Sequence, residues 1–192
     1  EKAPGALFHS DMVQSFCKID CTAAVRSVDL ASISGHKIHA PKGTGALYVR
    51  PGVHIQPRQF GGGQERDMRP GTENLPGIAA FGKAADIAAH TLTEHEAHMR
   101  LLRENLKKLV LENVDKVHVN GDGSGPHILN LSFEGAKSEV LLHILESNGI
   151  MVSSGSACSS NKPAPSQTLS AMGVPASLVD SAIRFSFSRY NT

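Results

Sequence analysis

Lys37, Cys158, Arg184 and Asp11 stand where their types and neighbours suit chemistry. Lys37 closes Ser34-Gly35-His36-Lys37, just past the apolar run Val28-Asp29-Leu30-Ala31-Ser32-Ile33. That run reads as a short buried strand, which puts the lysine at a strand end with its stem partly desolvated. Burial lowers an ammonium's pKa and frees the amine as a nucleophile. A lone lysine reads as a solvated turn residue, but Lys37 has company. Cys158 lies among small polar residues and one glycine, between Ser153 and Ser160, a composition that exposes a thiol on a mobile loop. Cys17 and Cys21 read instead as small hydrophobes. Arg184 opens Phe185-Ser186-Phe187, and a guanidinium fork binds a carboxylate bidentately, although an arginine there also reads as a plain surface residue. Asp11 taken alone reads as a strand-end turn or cap residue.

Together these residues fall into ordered motifs. They are His9-Ser10-Asp11-Met12-Val13-Gln14, Ser34 to Gly43, the glycine-rich stretch Gly61 to Asn74, Ser153 to Ser160, and Ile183-Arg184-Phe185-Ser186. In order and spacing they resemble the cysteine desulfurases, the NifS-like class of fold-type I pyridoxal-phosphate enzymes, over nearly the whole chain. The resemblance implies an α/β fold: a remnant of the cofactor-binding large domain over residues 1–90, and an α+β small domain over 91–192 that carries the cysteine loop.

It also implies roles. Lys37 would bond the cofactor covalently and move protons at the substrate's α-carbon. Asp11 would keep the ring nitrogen protonated, and Gln14 would hydrogen-bond the ring's phenolic oxygen. Ser34 and His36 would grip the phosphate, a dianion that wants several donors in a glycine-permissive loop; His36 otherwise reads as a satisfied structural histidine. Arg184 would hold the α-carboxylate of L-cysteine. Cys158 would take the sulfur as a persulfide and hand it to an acceptor protein, commonly an iron–sulfur cluster scaffold. Selenocysteine lyases share the glycine-rich stretch and form an alternative reading. A non-catalytic module that docks a sulfur acceptor is a third.

The glycines at 61 to 63 lack the spacing of a P-loop or a dinucleotide fingerprint. They fit a loop reaching across a homodimer, from which Thr72 would donate to the partner subunit's phosphate. Arg66 and Arg69 read as surface charges, with Arg69 close to that shared site. The chain also departs from the family. It has no counterpart of the family's N-terminal half, it stops at Thr192 before a terminal helix, and His39 stands where an aromatic is usual. The expectation is a C-terminal half that is inactive by itself.

Around the motifs, strands are expected at 6–9, 30–34 and 45–49. A long helical pattern follows over about 76–113, kinked near Thr91-Leu92-Thr93, with Thr93 and Glu96 forming a capping box. Further strands are expected at 117–119, 128–133, 150–153 and 182–187, with a helix at 138–148 ending on Gly149. Net charge of +1 and 40% hydrophobic residues suit a globular core and argue against a nucleic-acid surface. No apolar run is long enough for a membrane helix, no signal peptide opens the chain, and three unpatterned cysteines fit a reducing, cytoplasmic setting. The ten histidines form no metal constellation; His95 and His98 fit a solvated helix face.

Overall fold

A carboxylate at the head of a strand organises the first sheet. Asp29 precedes β2 (Leu30–Ser34), which pairs in parallel with β1 (His9–Asp11) and antiparallel with β3 (Gly45–Val49). Only 7% exposed, Asp29 accepts the Phe8 amide at 2.6 Å and pairs with the Arg50 guanidinium, while its backbone bonds both Phe8 and Arg50. One side chain thus bolts the starts of β1 and β2 to the end of β3. The computed structural model describes residues 5–154 and 165–192, and backbone contacts divide the chain into Glu1–Leu92 and Thr93–Thr192.

Side chains alternate across a strand, and register therefore decides what each face carries. His9 and Asp11 share one face with Ser32 and Ser34. The opposite face buries Ala31 in a cluster with Met12 and Val28, against which Cys21, Val25 and Ile33 pack. β1 begins later than the apolar residues suggest: Phe8 gives its amide to the Asp29 carboxylate, and Leu7 and Phe8 remain exposed. α1 (Thr22–Ser27) leads into β2, and after β3 a glycine-rich loop leads to α2 (Leu75–His90). Asn74 caps α2 by accepting the Gly77 amide at 3.2 Å, and Pro76 lies in the first turn, where its missing N–H does no harm.

The expected long helix breaks at Thr91, whose hydroxyl donates back to Ile87 at 2.8 Å. α3 (Leu92–Asn113) then starts before Thr93, and Glu96 accepts from Arg100 at 2.8 Å instead of completing a capping box. A second sheet is antiparallel throughout: β4 (Val117–Asn120), β5 (Ile128–Phe133) and β6 (Ala182–Ser186), with β5 central. Leu129, Leu131 and Ile183 are buried on one face. On the other, Ser132 donates to the Leu178 carbonyl at 2.6 Å, and Ala182 packs with Leu169 of α5 (Gln167–Ala171) and Val179 of α6 (Ala176–Val179). Between β5 and these lies α4 (Ser138–Ser147), followed by Gly149 at φ 77°, a left-handed stop that favours glycine.

No strand forms at 150–153. The Ile150 amide closes on Leu145, and only Ser153 reaches β6, exchanging two backbone hydrogen bonds with Arg184 at 3.1 and 2.7 Å. The buried Arg103 of α3 grips the loop after β4, donating to the carbonyls of Gly123 and of Gly125, the latter at 2.6 Å, and pairing with Glu104. That guanidinium draws the Glu104 carboxyl below its usual pKa range.

Unfolding of three variants tests these anchors. Asp29→Ala leaves the partly buried Phe8 amide unpaired and is expected to destabilise the protein by about 1–3 kcal/mol in urea titration. Arg50→Ala leaves the buried Asp29 Oδ1 without its partner and should cost a similar amount, about 1–3 kcal/mol. Arg103→Leu strands two carbonyls and is expected to cost about 1.5–3 kcal/mol; equal midpoints for variant and parent would show that the loop holds itself.

Candidate functional site

Lys37 sits in a single 3-10 turn, Gly35–Ile38, directly after β2. The turn is locked on both sides. The Gly35 amide donates to the Thr44 carbonyl at 2.9 Å, and a Cβ on Gly35 would lie 2.6 Å from the Thr44 hydroxyl oxygen, so only glycine fits. At the other end His39 adopts φ 69° and its amide closes on Gly35. Phe81 of α2 packs against Gly35, and Ile38 is fully buried. Lys37 is therefore held half-buried on a rigid turn, and its Nζ makes no hydrogen bond or ion pair among the described residues.

Ser34 and His36 flank this lysine as a bonded pair, Ser34 Oγ to His36 Nδ1 at 2.8 Å. When the hydroxyl donates into Nδ1, the exposed imidazole turns an Nε2–H outward, a donor suited to an anion. On the neighbouring strand Asp11 closes β1. Its Oδ1 accepts the Val13 amide at 2.9 Å, and its other oxygen accepts nothing among the described residues. Gln14 is exposed in the turn that follows. Both strands run parallel and present these groups at their carboxyl ends, where open α/β sheets bind ligands.

The structure adds a pair that the motifs did not single out. His9 Nε2 bonds Ser32 Oγ at 2.8 Å, and Ser32 is the register partner of Asp11. The signal was present as polar residues at 9 and 11 and at 32 and 34, but it became readable only once the two strands were aligned.

Thr72 is exposed in the same unit, beyond a tight segment in which Glu65, Arg66 and Asp67 all hold positive φ (50°, 57° and 65°). Such non-glycine conformations carry strain. Gln64 steadies the far side of this segment by accepting the Gly71 amide at 3.1 Å. Arg184 belongs to the other unit, half-buried in the middle of β6, with its Nε buried and without a hydrogen-bond partner among the described residues. Cys158 lies outside the described residues. Cys17 and Cys21 are half-buried, and burial together with the neighbouring Cys21 pushes the Cys17 thiol up.

A cavity of about 280 Å³ opens in the second unit, bordered by Arg103, Lys107, Asn120, Asn130 and the glycine-rich loop after β4. Its cations, Arg103 and Lys107, are already paired with Glu104. Among the described residues no cluster could hold a metal ion, and no helix is long and apolar enough to cross a membrane. His98 bonds the Asn191 carbonyl at 2.8 Å, a structural tie.

Comparison with known proteins places the chain in a family. A protein named cysteine desulfurase from Gluconacetobacter diazotrophicus is 47% identical over 98% of this chain and 48% of its own length. Its namesake from Trichormus azollae is 45% identical over 100% of this chain and 48% of its own. The chain thus spans about half the length of the curated relatives it matches. A solved NifS-like protein from Rickettsia africae superposes with a TM-score of 0.86 at 34% identity, covering 97% of this chain and 49% of that one. SspA, solved in complex with cysteine, gives a TM-score of 0.72 at 31% identity, covering 97% and 51%. The family pattern described as Aminotransferase class-V matches residues 1–192, and the chain belongs to that family.

Proposed function

We propose that the protein carrying this chain is a pyridoxal-phosphate-dependent cysteine desulfurase, with residues up to about 90 in its cofactor-binding domain and the rest in its small domain. One observation carries the reading: a bonded Ser34–His36 pair directly precedes a half-buried Lys37 with no partner among the described residues, at the carboxyl end of a strand parallel to the one that ends on Asp11. The names of the relatives, and the cysteine bound to SspA, support it.

The donor set fits the cofactor. Lys37 offers an amine without a competing ion pair, Asp11 an open carboxylate oxygen, and Ser34 with His36 the donors that a phosphate requires. Pyridoxal phosphate bound here supplies an electron sink for the substrate's α-carbon. Lys37 would hold it through Nζ and would carry the proton at that carbon. Asp11 would keep a proton on the ring nitrogen, Gln14 would meet the phenolic oxygen, and the Ser34–His36 pair would bind a phosphate oxygen through the outward His36 Nε2–H, with Ser34 Oγ donating into Nδ1. Arg184 orients L-cysteine by its carboxylate. The Cys158 thiolate attacks the substrate sulfur: an S–S bond forms as the C–S bond breaks, the electron pair stays with carbon, and the protonated product is L-alanine. Cys158 keeps the sulfur as a persulfide for an acceptor protein such as an iron–sulfur scaffold.

We further propose a cytoplasmic homodimer in which Thr72 donates to the partner subunit's phosphate. The strained turn at 65–67 and Phe60, 85% exposed just before the triple glycine, support a loop that meets another chain.

Lys37→Ala in the whole protein is expected to abolish the yellow cofactor band that borohydride fixes to the chain; a band still fixed in the variant overturns the assignment. Cys158→Ser should keep that band and lose alanine release, measured by amino-acid analysis, whereas undiminished release would reduce Cys158 to a loop residue. Because burial raises the Cys17 thiol, brief alkylation at neutral pH followed by mass spectrometry should label Cys158 well ahead of Cys17.

A further inference from the structure

We propose that Asn130, held in place by Asn120, is a second carboxylate donor beside Arg184 and makes the site select an α-amino acid over an amine lacking the carboxylate. The proposal rests on the desulfurase reading above and names a substrate contact that the motifs do not contain. It starts from register. Asn120, Asn130 and Arg184 are successive partners across β4, β5 and β6, so their side chains stand in one row on one face. Directly opposed residues bring their Cβ atoms to about 4.5–5.5 Å, which puts the Asn130 amide within reach of whatever Arg184 binds.

The row is polarised. Asn120 Nδ2 donates to Asn130 Oδ1 at 2.7 Å and to Ser132 Oγ at 2.8 Å, and Ser132 donates in turn to the Leu178 carbonyl at 2.6 Å. Asn130 therefore has its acceptor engaged on the β4 side. Its Nδ2 donates to nothing among the described residues, and register sets this amide beside Arg184. On β6 the neighbouring Arg184 Nε is buried and likewise without a partner. Native proteins rarely leave a buried donor unsatisfied without a ligand or water to meet it.

Two adjacent sets of open donors, with no acceptor in the row left for them, fit a carboxylate. The guanidinium edge takes two lone pairs in parallel and the amide N–H takes a third. Asn120 touches no substrate in this scheme. It is a positioning residue that keeps the amide from turning its oxygen toward the anion. Sites built from such donors discriminate strongly against analogues lacking the matching group, because the buried donors are then left unpaired.

The test uses the whole protein with its cofactor, reading L-cysteine turnover and, from the change in cofactor absorbance, equilibrium binding of L-alanine and of ethylamine, which lacks the carboxylate. Asn130→Ala is expected to raise KM for L-cysteine and Kd for L-alanine by about 10- to 100-fold, the worth of a hydrogen bond to a charged group. Ethylamine binding and kcat should hold. Asn130→Asp keeps the acceptor for Asn120 but puts an anion beside Arg184, and should weaken L-alanine more than Asn130→Ala does. Asn120→Ala should give a smaller rise in KM, again at constant kcat. Thermal unfolding separates misfolding from lost contact. Unchanged L-alanine affinity in both Asn130 variants overturns the proposal. So does an equal loss for L-alanine and ethylamine, which marks a purely structural role. A parent protein that neither turns over L-cysteine nor binds L-alanine sinks the desulfurase reading itself, whereas an active parent with indifferent variants sinks only this inference.

Discussion

The Asp29 carboxylate is the constraint on which the first unit's chemistry depends. A three-stranded sheet with one strand of three residues has little ladder to fix its register, and a slip by one residue exchanges the two faces. Asp29 prevents that slip by bonding Phe8 and Arg50 at once, at the end where β1 and β2 begin. Everything proposed to act on the cofactor lies at the other end. With the register pinned, period-2 alternation sends His9, Asp11, Ser32 and Ser34 to one face and Ala31 with Ile33 to the core.

The turn after β2 converts that register into a fixed amine. Nothing in a 3-10 turn is stable alone, since its hydrogen bonds are few and poorly aligned. Here the turn is wedged between Thr44, which needs the missing Cβ of Gly35, and Phe81 on α2. α2 is itself started by the Asn74 cap and Pro76. The glycine-rich stretch upstream ends in that cap, so the segment proposed to reach another subunit and the helix that braces Lys37 are continuous in the chain.

The motif residues were legible in the sequence because their chemistry is local: Ser34, His36 and Lys37 fall within one turn, and β3 and β5 occur where apolar periodicity put them. What escaped was non-local. Strand 6–9 shifted to His9–Asp11 because a side chain from another strand took the Phe8 amide. The strand expected at 150–153 shrank to one bridge, since the end of α4 claimed the Ile150 amide. Thr93 and Glu96 have capping-box spacing, yet the helix began one residue earlier and Glu96 found Arg100. The His9–Ser32 pair and the Asn120–Asn130–Arg184 row exist only through register, which no single stretch encodes.

That row also explains why β6 is where a carboxylate would be read. Arg184 is tied twice over. Its side chain stands beside Asn130 in the sheet, and its backbone exchanges two hydrogen bonds with Ser153, the residue from which the chain leaves toward Cys158. Cys158 lies five positions beyond Ser153 in the sequence, a span of at most about 17 Å for extended chain. In the proposed reaction the group that holds the substrate's carboxylate and Ser153, from which the chain leaves toward the thiol that takes its sulfur, are therefore joined by one backbone bridge. A shift in β6 register would misplace both together, whereas Lys37 and Asp11 are set by a different sheet and a different anchor. Recognition of the amino acid and activation of its amine thus rest on structurally independent supports, and variants of Asn130 should separate what variants of Lys37 cannot.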